Sequence, residues 1–306
     1  MKTSKRSTNN NRRATRRRDP EAARAEVADL KNRLDEHVTT LTDSEAWRAM
    51  LRAAVGFHRY SFRNILLILL QCPDATHVAA YREWQTRGRQ VRKGEKGIRI
   101  LAPMTVRRDQ DTDDENDRDE DDKQPRVFFR AVSVFDISQT DPIDPDTPTV
   151  PRPAELTGHA PAGLWDALAQ YVTAQGYALE RGDCGSAGGW TDPATRTVRI
   201  TGDDEGARAT RILAHEAGHI ACRHIDDDLA EYRQHRGRYE TEAESVAYIV
   251  AAAHGLETDT TSTHYIAGWA RRESPDDVAA LLKETGQRVI TAAHAVLDAI
   301  EPHTAS

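Results

Sequence analysis

No stretch of this sequence limits the possible folds as tightly as RILAHEAGHIACRH, residues 211–224, which contains His215, Glu216 and His219 in the order H-E-x-x-H. On an α-helix, positions four apart lie nearly over one another, so the two imidazoles can offer nitrogens to one metal ion. Glu216 follows the first histidine, from where its carboxylate reaches water in an open coordination position rather than the ion itself. Zinc brings the pKa of such water toward neutrality, and the glutamate can take its proton and pass it to a leaving amine. The chemistry is hydrolysis. Ile212, Leu213, Ala214 and Ala217 give the helix a small apolar packing surface, and Gly218 lets another backbone approach closely.

A catalytic zinc needs a third protein ligand, and YETEAESVAYIV, residues 239–250, offers three glutamates. Helix angles sort them. Glu240 and Glu244 share a face with Ala243, Ala247 and Tyr248, whereas Glu242 is turned about 200° from Glu240 and points away from that face. Ala243 and Ala247 are small enough to let this helix pack tightly on the H-E-x-x-H helix. One of the two carboxylates then binds zinc and the other orients a ligand histidine. His224, His235, His254 and His264 read as surface or packing histidines, although His254 or Tyr265 could polarise a substrate carbonyl, and spacing selects none of them.

The formal net charge of −7 conceals a strong segregation of sign. Residues 1–18 carry eight Lys or Arg and no acid, whereas residues 109–122 carry ten Asp or Glu against the single Arg118. Between these runs, residues 52–99 hold ten basic and three acidic side chains. Within that segment Arg59, Arg63, Arg87, Arg89, Arg92, Lys93, Lys96 and Arg99 alternate with Tyr60, Phe62, Tyr81 and Trp84. Cations along a groove attract phosphates and release counterions, and aromatic faces stack unpaired bases whatever their identity, so the pairing points to single-stranded nucleic acid. The longest apolar run, ILLILL at 65–70, is too short to span a bilayer, and the basic N-terminus is not followed by an apolar signal core. Cys72, Cys184 and Cys222 form no CxxC pair, so neither a disulfide framework nor a thiolate zinc site is expected. The expected setting is the cytoplasm, without a membrane partner.

Organisation follows from the same patterns. Residues 1–19 form a basic arm with nothing to drive folding, 108–124 an acidic insert between two β segments, and the proline-rich run 141–155 a linker. Helices are expected from Pro20 to about Leu41, over 44–55 with Asp43 as N-cap, and through SFRNILLILLQ to a stop at Pro73. HVAAYREWQTRG reads as a strand or short helix, and strands are expected over 98–101 and 127–135. Beyond the linker, a helix stopped by Gly176 precedes a hairpin around Asp192 and Pro193. Helices then cover 204–224 and roughly 239–254, and a last one starts at Ser274.

Two resemblances sharpen these readings. Y-S-F-R-N, P-D-A-T-H-V, W-Q-x-x-G-R-x-V-x-K-G-E-K-G-I-x-I-L-A-P and V-F-D-I-S-Q-T, in that order over about residues 25–140, resemble the N-terminal domain of ArdC-type antirestriction proteins. That family implies single-stranded DNA binding on a small α+β domain, often joined to a zincin-like domain, with Tyr60, Asn64, Trp84, Arg89, Lys93 and Lys96 as candidate strand contacts. The acidic insert departs from the family pattern. HEAGH followed by ETEAESVAYIV resembles the ImmA/IrrE family of small gluzincins over roughly residues 160–270. This implies His215, His219 and Glu240 as zinc ligands, Glu216 as general base and Glu244 behind a ligand. It also implies that the TVRIT strand, 197–201, borders a cleft for an extended peptide. The expected architecture is α+β in two domains. A single-stranded DNA-binding domain occupies 20–140, and a mostly helical zincin-like domain with a short β-sheet occupies 156–306. Zn2+, single-stranded DNA and a protein or peptide substrate are the expected partners.

Overall fold

The computed structural model describes residues 19–105, 127–144, 159–185, 187–202, 206–224, 226, 229–256 and 266–301. Residues 1–18 of the basic arm, the whole acidic insert, residues 145–155 of the linker, and His264 lie outside the described residues.

Helix α1 (Pro20–Val38) starts on Asp19, whose side chain accepts from Glu21 N, and buries Leu30, Leu34 and Val38 on one face. A short 3-10 turn over Thr39–Thr42 leads into α2 (Ser44–Gly56), where Asp43 caps the backbone N–H groups of Glu45 and Ala46 as expected. Helix α3 (Phe62–Gln71) is almost wholly apolar and stops before Pro73. HVAAYREWQTRG resolves into both of its alternatives: β1 (Val78–Ala80) runs straight into α4 (Tyr81–Thr86). The chain leaves α4 through Gly88, whose φ of 71° suits glycine.

Strands β2 (Arg89–Val91), β3 (Ile98–Thr105), β4 (Val127–Asp136) and β5 (Thr140–Pro142) complete the N-terminal half. They form two antiparallel sheets, β1-β4-β3 and β2-β5. The β3–β4 register runs from Ile98 opposite Val134 to Thr105 opposite Val127. Along this ribbon Ile98, Ile100, Leu101 and Val134 are buried against the helices, while Met104, Phe128 and Phe129 emerge into solvent toward its far end.

The C-terminal half begins with α5 (Leu164–Ala174), ended by Gly176 at φ 83°. A three-stranded mixed sheet follows in the order β6-β8-β7, with β6 (Ala178–Arg181), β7 (Gly189–Asp192) and β8 (Thr197–Ile200). β7 and β8 are the expected hairpin. β6, which pairs parallel to β8, carries no alternation strong enough to have announced it. Helices α6 (Ala207–Ala221), α7 (Leu229–Ala253), α8 (Ile266–Glu273) and α9 (Val278–Ile300) make up the rest. α7 starts ten residues before the expected position, and α9 starts at Asp277, its N-cap, rather than at Ser274. α8 was not foreseen.

Helix α7 is the spine of this half. It packs on α6, α8 and α9, and also on α2 of the N-terminal half. Gly218 of α6 sits against the α7 backbone: a Cβ there would lie 2.7 Å from the Ala243 carbonyl oxygen and 3.0 Å from its Cα. The close approach read from Gly218 and Ala243 is therefore real. One hydrophobic cluster runs through both halves, from Leu30 and Trp47 to Val296 and Ile300. At the junction, the buried Trp47 indole donates to Ser245 Oγ at 3.0 Å, and the Phe62 ring lies against Gly286. No helix among the described residues is long and apolar enough to cross a membrane.

Candidate metal centre and nucleic-acid surface

Helix α6 presents His215 and His219 one turn apart, and the tight contact at Gly218 brings α7 close enough for its glutamates to reach them. The two Nε2 atoms lie 3.1 Å apart. Glu240 Oε2 lies 3.4 Å from His215 Nε2 and 3.9 Å from His219 Nε2. A tetrahedral ion with bonds of about 2.0–2.1 Å would hold its ligand atoms roughly 3.3 Å apart. The three donors therefore fit a single divalent cation, and their mixture of two imidazoles and a carboxylate suits zinc or a neighbouring transition metal.

The surrounding groups fix the ligands' orientation. Glu244 Oε2 lies 3.0 Å from His215 Nδ1, which holds that ring with its Nε2 toward the site. The Tyr232 hydroxyl donates to Glu240 Oε1 at 3.1 Å. Glu240 thus sits with the two imidazoles and Glu244 behind one of them. Burial works against a proton on His215, but hydrogen bonds to Glu240 and Glu244 and the charge of Glu216 outweigh it and hold the ring well above its ordinary pKa. In His219 burial, together with the neighbouring His215 and His224, pushes the pKa down.

Glu216 is 5% exposed, and its Oε2 accepts a 2.7 Å hydrogen bond from Thr191 Oγ1 of β7. Burial pushes this carboxyl upward, against the opposing pull of His215 and Thr191. The site opens on both sides of Glu216. A cleft of about 450 Å³ is lined by Trp190, Thr191, Pro193, Tyr232, Arg236, His215, His219 and Glu240, and one of about 420 Å³ by Arg208, Arg211, Ile212, Glu244 and Tyr248. The strand at the cleft is β7. β8, which contains most of the TVRIT segment, is paired on both sides and has no free edge for a peptide.

His224 is the residue that sequence reasoning missed. It is fully buried, with Nδ1 3.0 Å from His219 Nδ1 and Nε2 2.7 Å from Glu242 Oε2. Glu242 points away from Glu240, as its helix angle required, but into the core beside His224 rather than to solvent. The local signal lies at the end of α6. His224 N–H donates to the His219 carbonyl and Arg223 N–H to the Ile220 carbonyl, a Schellman turn with Arg223 at φ 62° where glycine is usual. A non-glycine residue in this conformation costs about 1–2 kcal/mol. His235, in contrast, pairs with Glu273, and His254 with the Val250 carbonyl.

The six nucleic-acid candidates divide by exposure. Trp84 is 0% exposed and its indole donates to the Phe135 carbonyl, so no ring face is open to a base in this conformation. Asn64 clamps Leu101, donating to its carbonyl and accepting from its N–H, and the Tyr60 hydroxyl donates to the Val78 carbonyl. Arg89 donates to Thr140 Oγ1 and to the Thr140 carbonyl. These four side chains hold α3, α4 and the small sheets together. Lys93 and Lys96, on the turn after β2, are exposed, and Tyr81, whose hydroxyl accepts from Gln90 of β2, is 42% exposed.

Comparison with known proteins accords with the geometry of the N-terminal half. Residues 27–135 match the family described as the N-terminal domain of anti-restriction factor ArdC. The chain is 26% identical over 207 residues to the uncharacterized protein y4eC of Sinorhizobium fredii, covering 62% of this chain and 61% of that protein. It is 23% identical over 247 residues to an uncharacterized protein of Bacillus anthracis, covering 70% of this chain and 41% of that one. The match thus spans less than two thirds of either relative's own length. Among solved structures, the antirestriction protein ArdC from the R388 plasmid superposes in its metal-free form with a TM-score of 0.50 at 20% identity, over 78% of this chain and 84% of that one. Its Mn(II)-bound form gives the same TM-score and identity, over 79% and 85%. Residues 27–135 are thus similar to the N-terminal domain of the anti-restriction factor ArdC, and the fold of the chain is similar to that of the R388 protein.

Proposed function

We propose that this chain is a single-stranded DNA-binding protein of the antirestriction type that carries a zinc-dependent, peptidase-like centre. The observation that carries the first part is the match of residues 27–135 to the N-terminal domain of an anti-restriction factor. Its physical counterpart is a set of exposed groups on the turn after β2 and at the start of α4: the lysine pair Lys93 and Lys96, which suits phosphates, and the Tyr81 ring, which suits a base. Trp84, Asn64, Tyr60 and Arg89 serve this surface from within, by holding its scaffold.

The test is fluorescence anisotropy of a labelled single-stranded oligonucleotide over a salt series, with wild type and Lys93→Glu/Lys96→Glu. Binding should weaken steeply with salt, and each lysine lost should reduce the slope of log K against log salt by about 1. Wild-type protein without salt-sensitive binding refutes the reading.

The second part rests on convergence from two helices and one strand. His215, His219 and Glu240 are the proposed ligands, Glu244 orients His215, and Glu216 is the proposed base. A divalent ion held there would supply Lewis acidity that makes water a nucleophile at neutral pH. Thr191 holds the Glu216 carboxylate at the cleft, and the low exposure of Glu216 keeps a proton taken there from exchanging freely with solvent. A protein or peptide is the proposed substrate, because β7 offers a main-chain edge at the cleft.

Glu216→Gln should retain the ion, leave DNA binding intact and abolish proteolysis. If its biological effect is unchanged, the chain works through DNA binding alone and the ion is structural.

A further inference from the structure

Beyond the three ligands and Glu244, α6 and α7 bury a second array of polar groups that touches the centre at one atom. His219 Nδ1 faces His224 Nδ1 at 3.0 Å, and His224 Nε2 faces Glu242 Oε2 at 2.7 Å. His224 and Glu242 are both 0% exposed by side chain, so no solvent substitutes for either contact. Glu242 is flanked in turn by Arg288 at 3.7 Å and Arg238 at 4.0 Å.

The direction of this chain is set by its far end. His219 binds an ion through Nε2 only if that atom carries a lone pair, which puts its ring proton on Nδ1. Two ring nitrogens 3.0 Å apart need one proton between them, so His224 Nδ1 must be the acceptor. A neutral His224 then bears its proton on Nε2, which donates to Glu242. Reversal would place the proton on His219 Nε2, the atom that faces His215 and Glu240.

We propose that His224 and Glu242 are positioning residues that lock the ring orientation and tautomer of His219, so that its Nε2 is ready for the ion before the ion arrives. The proposal rests on the metal-centre reading above. The backbone supports it independently. The Schellman turn at Arg223 reverses the chain just past α6 and carries His224 back onto the residue five before it. Glu242 is thus anchored on α7, His224 on the turn, and His219 on α6, which makes the relay a further tie between the two helices that supply the ligands.

Cys222 lies close enough to His224 and Glu242 for the three to be read as a second metal site. Two features count against that. Both nitrogens of His224 are already engaged, and two guanidinium groups within 4.0 Å of Glu242 oppose a further cation.

The experiment uses full-length protein freed of metal and titrated with Zn2+ against a chromophoric chelator, as wild type, His224→Phe and His224→Asn. Melting of each metal-free protein and the number of ions bound per chain are measured alongside. His224→Phe should lose roughly 10–100-fold in affinity. His224→Asn, whose amide oxygen can occupy the place of Nδ1 and accept from His219, should recover most of that loss even if both variants melt at the same lower temperature. Nitrogen-15 NMR of the zinc-loaded wild type should show His224 neutral with its proton on Nε2, a readout that holds if His224→Phe fails to fold.

Equal zinc affinity in folded wild type and His224→Phe overturns the proposal, as does a proton on His224 Nδ1. Two ions per chain with His224 directly bound overturns it in favour of the second site. Wild-type protein that binds no ion overturns the metal-centre reading itself, and the relay with it.

Discussion

Replacing Gly218 by alanine sets two effects of known size against each other. Alanine in a helix interior is favoured over glycine by about 1 kcal/mol, so propensity alone predicts a more stable protein. The added Cβ, however, would meet the Ala243 carbonyl oxygen at 2.7 Å and its carbonyl carbon at 3.2 Å, where ordinary contact begins at 3.4 Å. Both atoms are backbone, so no side-chain rotation relieves the overlap, and α6 and α7 must separate by up to about 0.7 Å, the shortfall at the closest atom. Overpacking of this kind costs about 1–3 kcal/mol, which leaves a net loss of roughly 0–2 kcal/mol after the propensity gain.

The effect on the centre should be larger than the effect on stability. His215 and His219 ride on one of these helices and Glu240 on the other, and metal–ligand distances tolerate only about ±0.2 Å. Zinc affinity should therefore fall at least about tenfold, or 1.4 kcal/mol. Chelator competition measures the affinity, and thermal melting of the metal-free protein measures the stability. A Gly218→Ala protein that melts higher than wild type and binds zinc equally well would refute the argument that backbone contact at this position sets the ligand spacing.

Two further outcomes follow from the junction between the halves. Gly286→Ala drives a methyl group into the Phe62 ring, which is 0% exposed, and the overpacking of about 1–3 kcal/mol, less about 1 kcal/mol of helix propensity, should leave a net loss of roughly 0–2 kcal/mol in urea denaturation; a raised midpoint would show that α3 and α9 are not in intimate contact. His294, on α9, has its pKa lowered to about 4, chiefly by burial and then by His58. A depressed histidine binds a proton more readily unfolded than folded, so its contribution to stability should be lost as pH falls from about 6.5 toward 4. His294→Gln should flatten the dependence of unfolding free energy on pH in that window, and an identical slope in both proteins would exclude His294 as its source.

Helical features were the most legible in the sequence. Asp43, Gly176 and Pro73 mark helix boundaries through caps and missing donors, which are local effects, and the structure places the boundaries there. Glu240 and Glu244 were sorted from Glu242 by helix angle alone, and their carboxylates lie beside His215 while that of Glu242 does not. Pairing between segments was much less legible. β6 joins β8 in parallel, and β2 joins β5 across some fifty residues, and neither strand carries a pattern of its own.

Exposure was the hardest property to read. An aromatic or basic side chain looks the same in sequence whether it faces solvent or donates inward, so Trp84, committed to the Phe135 carbonyl, could not be told from Tyr81, which is exposed. His224 was invisible for a related reason. Its importance comes from a backbone turn at Arg223, a position where the sequence offers no glycine to signal one.

A main core that runs from Leu30 to Ile300, beside a small satellite cluster of Ala79, Trp84 and Val91, ties the two halves of the described residues into one folding unit. Anything that binds only the folded state then protects the whole of it by mass action, by about 2.7 kcal/mol at a hundredfold excess over its Kd. An ion held between α6 and α7 would slow proteolysis of the distant β3–β4 ribbon, and a DNA strand at Lys93 and Lys96 would help the helices around His215 resist unfolding. Neither effect requires a change of shape at the other end. The two ends would share a lifetime even if they share no signal.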